Sequence, residues 1–104
     1  MISYVRFSIR TMRSGFTDNI TIRPQAPREI EEAWWWYESR REGLGDDFVL
    51  CVEESFEKIS RDPKLYSVVH KKIRRAMIRR FPYGVLYFIE KDEIVVFHSS
   101  RNPN

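Results

Sequence analysis

Two segments of the chain, 27–42 and 46–62, have apolar residues three or four positions apart, which is the spacing of one helix face. The recurring residues are Ile30, Ala33, Trp34 and Tyr37 in the first segment, and Phe48, Val52, Phe56 and Ile59 in the second. Pro27 suits the first position of a helix, and Asp46 or Asp47 can cap the second one. Because only a Gly-Leu-Gly turn and a neighbour separate them, we predict an antiparallel helical hairpin.

The last third of the chain has the alternating and β-branched pattern of strands. We predict strands near 72–80, 83–90 and 93–99, and a short first strand at 20–23 before Pro24. The 83–90 segment is apolar on both sides, which is typical of a central strand. Tyr83, Val85, Tyr87 and Ile89 point one way, and Leu86 and Phe88 point the other. The predicted order is β-α-α-β-β-β, an α+β fold with the helical hairpin packed on one face of an antiparallel sheet.

The length of 104 residues is that of one domain, and we divide it into two parts. Residues 1–17 are predicted to be an N-terminal extension or an extra strand, and residues 18–104 the folded domain. Cys51 is expected to be a small buried hydrophobic residue and not a nucleophile. The predicted core residues are Ile30, Trp34, Tyr37, Phe48, Val52, Phe56, Ile59, Leu86, Phe88 and Val96.

The formal charge of +3 hides a strong asymmetry along the chain. Residues 1–27 carry +3, residues 28–62 carry −6, and residues 63–104 carry +6. One cysteine and two histidines offer neither a disulfide nor zinc-ligand spacing, and no apolar run is long enough to span a membrane. We therefore expect a protein of the reducing cytoplasm that has no metal and no cofactor.

Six cations and no acid lie between residues 71 and 80. This run has two interpretations. It can form an electropositive surface for a nucleic acid or another acidic target, or it can be the solvated side of an amphipathic strand. The cations are Lys71, Lys72, Arg74, Arg75, Arg79 and Arg80.

Several motifs, in this order, resemble the RelE/ParE family of bacterial toxins from type II toxin–antitoxin modules. The resemblance extends from about residue 18 to residue 104, so residues 1–17 lie outside it. The motifs are Glu29-x-x-x-Ala33-x-x-x-Tyr37-Glu38, Leu44-Gly45 with Phe48, Ile59 with Asp62-Pro63, Arg79-Arg80-Phe81-Pro82-Tyr83 with Val85 and Tyr87, the strand 94–97, and His98-x-x-Arg101-Asn102-Pro103.

The resemblance implies a toxin of plasmid-stabilisation type that inhibits growth and that a cognate antitoxin neutralises. It leaves two mechanisms open. ParE-like members bind and inhibit DNA gyrase, whereas RelE-like members are ribosome-dependent endoribonucleases that cut messenger RNA. An inactive relative that only binds nucleic acid is a third possibility. We favour gyrase, and whether the chain is an enzyme depends on which branch it follows.

The candidate site residues bear on that choice. RelE-like enzymes have an arginine directly after the aromatic residue that opens the central strand, and here Gly84 follows Tyr83. They also have an acid/base group in a C-terminal segment for which this chain has no counterpart. If the chain is a ribonuclease, His98 and Arg101 are its catalytic candidates. Target or nucleic-acid binding is assigned to Tyr83, Arg101 and the six cations of residues 71–80.

Three consecutive tryptophans cannot all enter one core, because adjacent helix positions are about 100° apart. Trp34 follows the apolar stripe, which leaves Trp35 and Trp36 at least partly exposed. They either contact a partner or lie across a neighbouring loop. We expect the antitoxin to cover the basic sheet face and the groove beside the helical hairpin, and an oligomer can form through it. No membrane contact is expected.

Overall fold

The computed structural model describes residues 20–101, which form two helices packed on one face of a five-stranded sheet. In chain order the elements are β1 (Ile20–Ile22), α1 (Gln25–Arg40), α2 (Leu44–Arg61), β2 (Val68–His70), β3 (Ile73–Met77), β4 (Tyr83–Glu90) and β5 (Glu93–Arg101). The α+β class and the helical hairpin are therefore confirmed. The predicted extension or extra strand at 1–17 lies outside the described residues.

Both helices begin two residues earlier than predicted. Pro27 is the third residue of α1 and not the first, because any position in the first turn tolerates a missing amide hydrogen. Neither Asp46 nor Asp47 caps α2, so that prediction is wrong. Instead the carboxylate of Glu38, near the end of α1, accepts hydrogen bonds from the backbone nitrogens of Gly43 and Gly45, both at 2.9 Å.

The Glu38 contact and two glycines determine the tight turn between the helices. Gly43 has a φ of 89°, a conformation that side chains disfavour. Gly45 is buried, and a Cβ there would lie 2.8 Å from Nε1 of Trp34. A larger residue at position 45 would therefore push the two helices apart.

The sheet has the order β1-β5-β4-β3-β2 and is mixed. The prediction of an antiparallel sheet holds for β2 to β5, but β1 pairs with β5 in parallel, which is possible because two helices and three strands separate these strands along the chain. Strand β2 was not predicted. It has three residues and a register shift against β3. A strand of three residues is too short to show a periodic pattern in the sequence.

The strand predicted at 72–80 ends at Met77. Arg80 has a φ of 75°, so the chain turns there, just before Pro82. Ile78 and Phe81 are both buried, which anchors this turn in the core. The cations at 79 and 80 consequently lie beside α2 and not in the strand.

The two faces of the sheet differ in what covers them. The inner face, which carries Tyr83, Val85, Tyr87, Ile94 and Val96, packs against the helices and is buried. The outer face carries Arg75, Leu86, Phe88, Val95 and His98, which pair with one another across the strands. Eight of the predicted core residues are buried as expected. Leu86 and Phe88 are only half-buried, because no described helix covers the outer face.

Cys51 is free and buried on α2, as predicted. Within the described part of the chain, no helix is long and apolar enough to cross a membrane.

Candidate functional site

A groove of about 350 Å³ lies between α1 and the C-terminal half of β5. It exists because β1 pairs only with Ile94, Val95 and Val96, which leaves the rest of β5 with an open edge. His98 and Arg101 both reach this groove. Its walls are Glu29, Glu32, Ala33, Trp36 and Tyr37 from α1, Tyr83 from β4, and His98, Ser99, Ser100 and Arg101 from β5.

Glu29 closes part of the open edge of β5. Its carboxylate accepts a hydrogen bond from the backbone nitrogen of Ser99 at 2.8 Å and another from Nε2 of Gln25 at 3.0 Å. The same carboxylate lies 2.7 Å from Nδ1 of His98. One acidic side chain of α1 therefore satisfies a strand amide that would otherwise have no partner, and it also orients the imidazole.

The contact with Glu29 determines which nitrogen of His98 is free for chemistry. Nδ1 also lies 3.2 Å from Nε2 of Gln25, and in the tautomer that carries its proton on Nδ1 this proton is donated to the carboxylate, which leaves the lone pair of Nε2 free. This is the arrangement of a base oriented by a carboxylate. Cleavage of RNA also requires an acid for the leaving oxygen, and a buried phenol that lines the groove is unsuited to that role.

That phenol belongs to Tyr83, whose hydroxyl lies 2.7 Å from the Oγ of Ser99 inside the protein. Burial is the main reason that its pKa lies well above the usual value, so the phenol stays neutral. Only 2% of Tyr83 is exposed. Its hydroxyl supports the floor of the groove and does not project from the basic surface.

Two guanidinium groups stack on Trp36 at the mouth of the groove. The Cζ atoms of Arg101 and Arg40 lie 3.8 Å and 4.0 Å from the ring centroid. Both distances are short for cation–π contacts, which orient the arginines without neutralising them. We call Trp36, Arg40 and Arg101 the tryptophan–arginine cluster.

The neighbouring tryptophans divide as the helix geometry predicts. Trp34 is buried, and its Nε1 donates a hydrogen bond to Oδ1 of Asp46 at 3.1 Å. Trp35 is 42% exposed, and Trp36 is half-buried. The two tryptophans singled out as partner contacts are therefore accessible on α1.

The cationic run of residues 71–80 does not form one surface. Arg74 extends towards the core side, where its Nη1 donates hydrogen bonds to the backbone oxygens of Tyr66 at 2.5 Å and Lys64 at 3.4 Å. The next residue, Arg75, lies on the outer face. Strand alternation separates these two neighbours, and Arg74 has a structural role.

The remaining cations of the run are at its two ends. Arg79 and Arg80 lie beside α2, where Nε of Arg79 is 2.9 Å from a carboxylate oxygen of Glu54 and Arg80 is 4.0 Å from Asp47. At the other end, Lys71 is exposed in the turn between β2 and β3. Lys72 lies 3.6 Å from Glu90.

Gly84 forms the bottom of a second, smaller depression of about 110 Å³ on the outer face. A Cβ at this position would lie 3.1 Å from Cδ of Arg75 and 3.1 Å from Sδ of Met77. The side chain of Arg75 thus extends over Gly84, the position at which the resemblance implies an arginine in RelE-like enzymes only.

Sequence reasoning overlooked two residues of the groove. Glu29 entered the sequence analysis only as the first residue of a family motif, since its partner Ser99 is 70 positions away. Arg40 was not singled out in the sequence analysis. The single signal that was available for it is its spacing of four residues from Trp36, which places both side chains on one helix face.

Among residues 20–101, no group of three or more His, Cys, Asp or Glu side chains is arranged to hold a metal ion. The chemistry available in the groove is that of hydrogen bonds, cations and exposed aromatic rings.

Comparison with known proteins places this geometry in context. Residues 20–102 match the family model described as the ParE toxin of the type II toxin–antitoxin system parDE. No individual curated protein matches the chain significantly. Among solved structures, the fold is similar to one titled "Chromosomal ParDE TA system from P. aeruginosa", with a TM-score of 0.70 and 12% sequence identity. The match covers 81% of this chain and 95% of that one.

Proposed function

Because the chain belongs to the ParE toxin family of type II toxin–antitoxin systems, we propose that it stops growth by binding DNA gyrase and that a cognate antitoxin neutralises it. In this proposal the toxin acts in the cytoplasm, where it meets DNA gyrase. It acts by occupying a protein surface, so it needs no cofactor and cleaves no bond.

The tryptophan–arginine cluster is the observation that carries the proposal. Tryptophan and arginine are the residues most enriched among those that dominate protein–protein binding energy. Here the indole of Trp36 is half-buried with Arg101 only 3.8 Å away, and a further indole, that of Trp35, is exposed one residue earlier. A prepositioned group of this composition suits a protein target.

Ribosome-dependent RNA cleavage is the second candidate function, and the contact between Glu29 and His98 favours it. The distance of 2.7 Å gives His98 the orientation of a general base. Against it, the hydroxyl of Tyr83 is buried and occupied by Ser99, and Gly84 carries no side chain. A base without an acid supports cleavage poorly, so we rank this function second.

An acidic antitoxin segment fits the charge of the tryptophan–arginine cluster at the mouth of the groove. Its carboxylates would meet Arg40 and Arg101, while apolar side chains would cover Trp36. Covering the cluster would remove the proposed gyrase contact, which explains neutralisation. The expected genetic signature is an adjacent reading frame for a small acidic protein, whose co-expression restores growth.

Pulse labelling of cells that express the chain separates the two candidate targets. Gyrase inhibition would reduce thymidine incorporation and plasmid supercoiling first, while methionine incorporation would continue. Ribosome-dependent cleavage would reverse that order and leave cut transcripts. Normal growth without an antitoxin would overturn both mechanisms and leave an inactive relative.

A matched pair of substitutions tests the role of the cluster. Arg101→Ala should weaken the growth arrest by about tenfold or more, as expected for an arginine that dominates an interface. Arg61→Ala, at an exposed position near the end of α2 where the arginine pairs with Glu57, should retain full toxicity. Equal toxicity of the two variants would exclude the cluster as the target contact.

A further inference from the structure

We propose that the antitoxin places an acidic side chain in the groove, where its carboxylate accepts a hydrogen bond from the hydroxyl of Tyr37 and pairs with Arg101. This proposal deepens the proposed function and rests on its antitoxin part, but it needs no assumption about gyrase. Three observations carry it: a buried hydroxyl without a partner, an arginine charge that reaches this hydroxyl, and an uneven distribution of charge along the groove.

The hydroxyl of Tyr37 is buried without a hydrogen-bond partner among residues 20–101. Only 5% of Tyr37 is exposed, and the residue lines the groove. Two other buried tyrosines differ in this respect, since the hydroxyl of Tyr83 lies 2.7 Å from Oγ of Ser99 and that of Tyr87 donates to the backbone oxygen of Pro63. Buried hydroxyls are nearly always hydrogen-bonded, so Tyr37 is a donor whose acceptor a bound partner can supply.

Arg101 provides positive charge near this hydroxyl. Burial raises the pKa of Tyr37, and the charge of Arg101 opposes that rise. The phenol therefore stays protonated at neutral pH and is able to donate. Among the described residues, no carboxylate forms an ion pair with Arg101, which stacks on Trp36. A group that binds between the phenol and the guanidinium must accept hydrogen bonds from both.

A carboxylate is the group that meets both requirements. Its two oxygens can each accept a hydrogen bond, and its charge neutralises the arginine. A backbone carbonyl would leave the arginine without a counter-charge, and a cationic side chain would be repelled. The groove of about 350 Å³ is small even for a ligand pocket, which typically measures about 300–1,000 Å³, so side chains of the partner enter it and a whole helix does not.

The acidic residues of the groove determine which end the carboxylate occupies. Glu29 and Glu32 act to raise the pKa of Tyr83, whereas Arg101 acts to lower that of Tyr37. An incoming carboxylate is therefore repelled from the glutamates and attracted to the arginine. A neutral or basic residue of the antitoxin would face Glu32.

Binding requires a side chain of the groove to move. The hydroxyl oxygen of Tyr37 has almost no area in contact with solvent, so a carboxylate cannot reach it in the unbound arrangement. Arg101 is exposed and is held by ring stacking without an ion pair, so its side chain can turn towards the carboxylate. Changes of this kind are common when interfaces form.

Replacing single tyrosines with phenylalanine separates binding from stability. Tyr37→Phe removes a hydroxyl without a partner, so the urea midpoint of unfolding should stay the same or rise. Its affinity for the purified protein encoded by the adjacent reading frame, measured by isothermal titration calorimetry, should fall about tenfold. Tyr87→Phe is the matched control. It removes a satisfied hydroxyl outside the groove, so the midpoint should fall and the affinity should be unchanged.

A double-mutant cycle tests whether one carboxylate contacts both groups. Arg101→Gln should also weaken binding, and its combination with Tyr37→Phe should lose less than the product of the two fold-changes, because either substitution already loosens the carboxylate. Arg40→Gln provides the comparison, since Arg40 stacks on the same indole while Arg101 is the arginine that acts on the pKa of Tyr37. Its fold-change should multiply with that of Tyr37→Phe.

Unchanged antitoxin affinity of Tyr37→Phe would overturn the proposal. A fall in its unfolding midpoint equal to that of Tyr87→Phe would do the same, because the hydroxyl would then have a partner inside the protein. If the protein of the adjacent reading frame does not bind the unmodified chain at all, the proposed neutralisation is wrong as well. Reduced affinity of Tyr37→Phe with an unchanged midpoint would support the proposal even if the chain left gyrase active, which separates it from the gyrase part of the proposed function.

Discussion

Adjacent residues of β4 show how differently the two faces of one sheet are used. Tyr87, on the inner face, is fully buried, and its hydroxyl donates a hydrogen bond to the backbone oxygen of Pro63 at 2.6 Å. Phe88, on the outer face, is half-buried, with the charged ends of Lys72 and Arg23 near its ring. The inner face consists of buried groups that pack against the helices, whereas Leu86 and Phe88 on the outer face stay partly accessible.

The same contrast separates Arg74 from Arg75 in β3. Arg74 is held by two backbone oxygens, whereas the side chain of Arg75 lies over the open surface at Gly84. Two identical residues at consecutive positions thus have different roles, because alternate strand residues face opposite sides. Charge counted along the sequence overestimates the binding surface, since half of a strand's cations face inward.

The strongest test of this contrast substitutes one phenylalanine on each side. Phe56 is fully buried in the core, so Phe56→Ala should lower the free energy of unfolding by about 3–5 kcal/mol. Phe88→Ala should cost only about 1 kcal/mol, because less of its area is removed from water. Urea unfolding followed by circular dichroism measures both. Equal losses would mean that the outer face is as well packed as the core.

The Glu29 contact is expected to have the next largest effect. Glu29→Ala would leave the buried amide of Ser99 without an acceptor and should cost about 1–3 kcal/mol. Its exposed neighbour on the same helix, Glu32→Ala, should change stability little. Hydrogen exchange at the Ser99 amide gives a local signal and should become faster only in the Glu29 variant. Unchanged exchange would show that Glu29 does not close the edge of β5.

Buried tyrosines make the inner face sensitive to alkali. Burial raises the pKa of Tyr87 to about 12, against an ordinary value of 10.0. Between these two values the folded chain binds more protons than the unfolded chain, so stability falls as the pH rises from about 10 to about 12. Unfolding midpoints in this range should decrease, and Tyr87→Phe should decrease less steeply. Ionisation of all tyrosines near pH 10 without any loss of stability would contradict the packing around Tyr87.

The smallest effect is expected for the exposed pair of Arg79 and Glu54. A hydrogen bond from Arg79 is the main reason that the pKa of Glu54 lies below its usual value. The pair therefore contributes stability above the usual carboxylate pKa and loses it as the pH falls through the lowered value. Arg79→Ala should change stability less than any variant above, and salt should abolish the difference. A loss comparable to that of Glu29→Ala would mean that the turn at Arg80 depends on this pair.

The elements that produce a periodic apolar pattern in the sequence could be predicted, whereas the contacts between residues far apart in the sequence could not. The apolar spacing from Ile30 to Ile59 is sufficient to identify both helices, since each buries one stripe. The cap of α2 could not be predicted, because Glu38 reaches it from the preceding helix. Phe88 was misassigned because an apolar strand face indicates burial only if another layer covers it.

Prediction of the candidate site was similarly divided. His98 and Arg101 were identified, and both lie in the groove. Their orientation was not predictable, since it depends on Glu29 and Trp36 from a helix about 70 positions earlier. The run of residues 71–80 was recognised as basic, but its division among the two faces and the α2 side required the turn at Arg80.

A supercoiling assay with purified DNA gyrase tests the central claim most directly. The full chain should inhibit supercoiling, Arg101→Ala should require about tenfold more protein for the same inhibition, and the exposed control Arg61→Ala should match the unmodified chain. That pattern would assign the gyrase contact to the tryptophan–arginine cluster. Normal supercoiling at every concentration of the unmodified chain, together with transcripts cut on programmed ribosomes, would contradict the account.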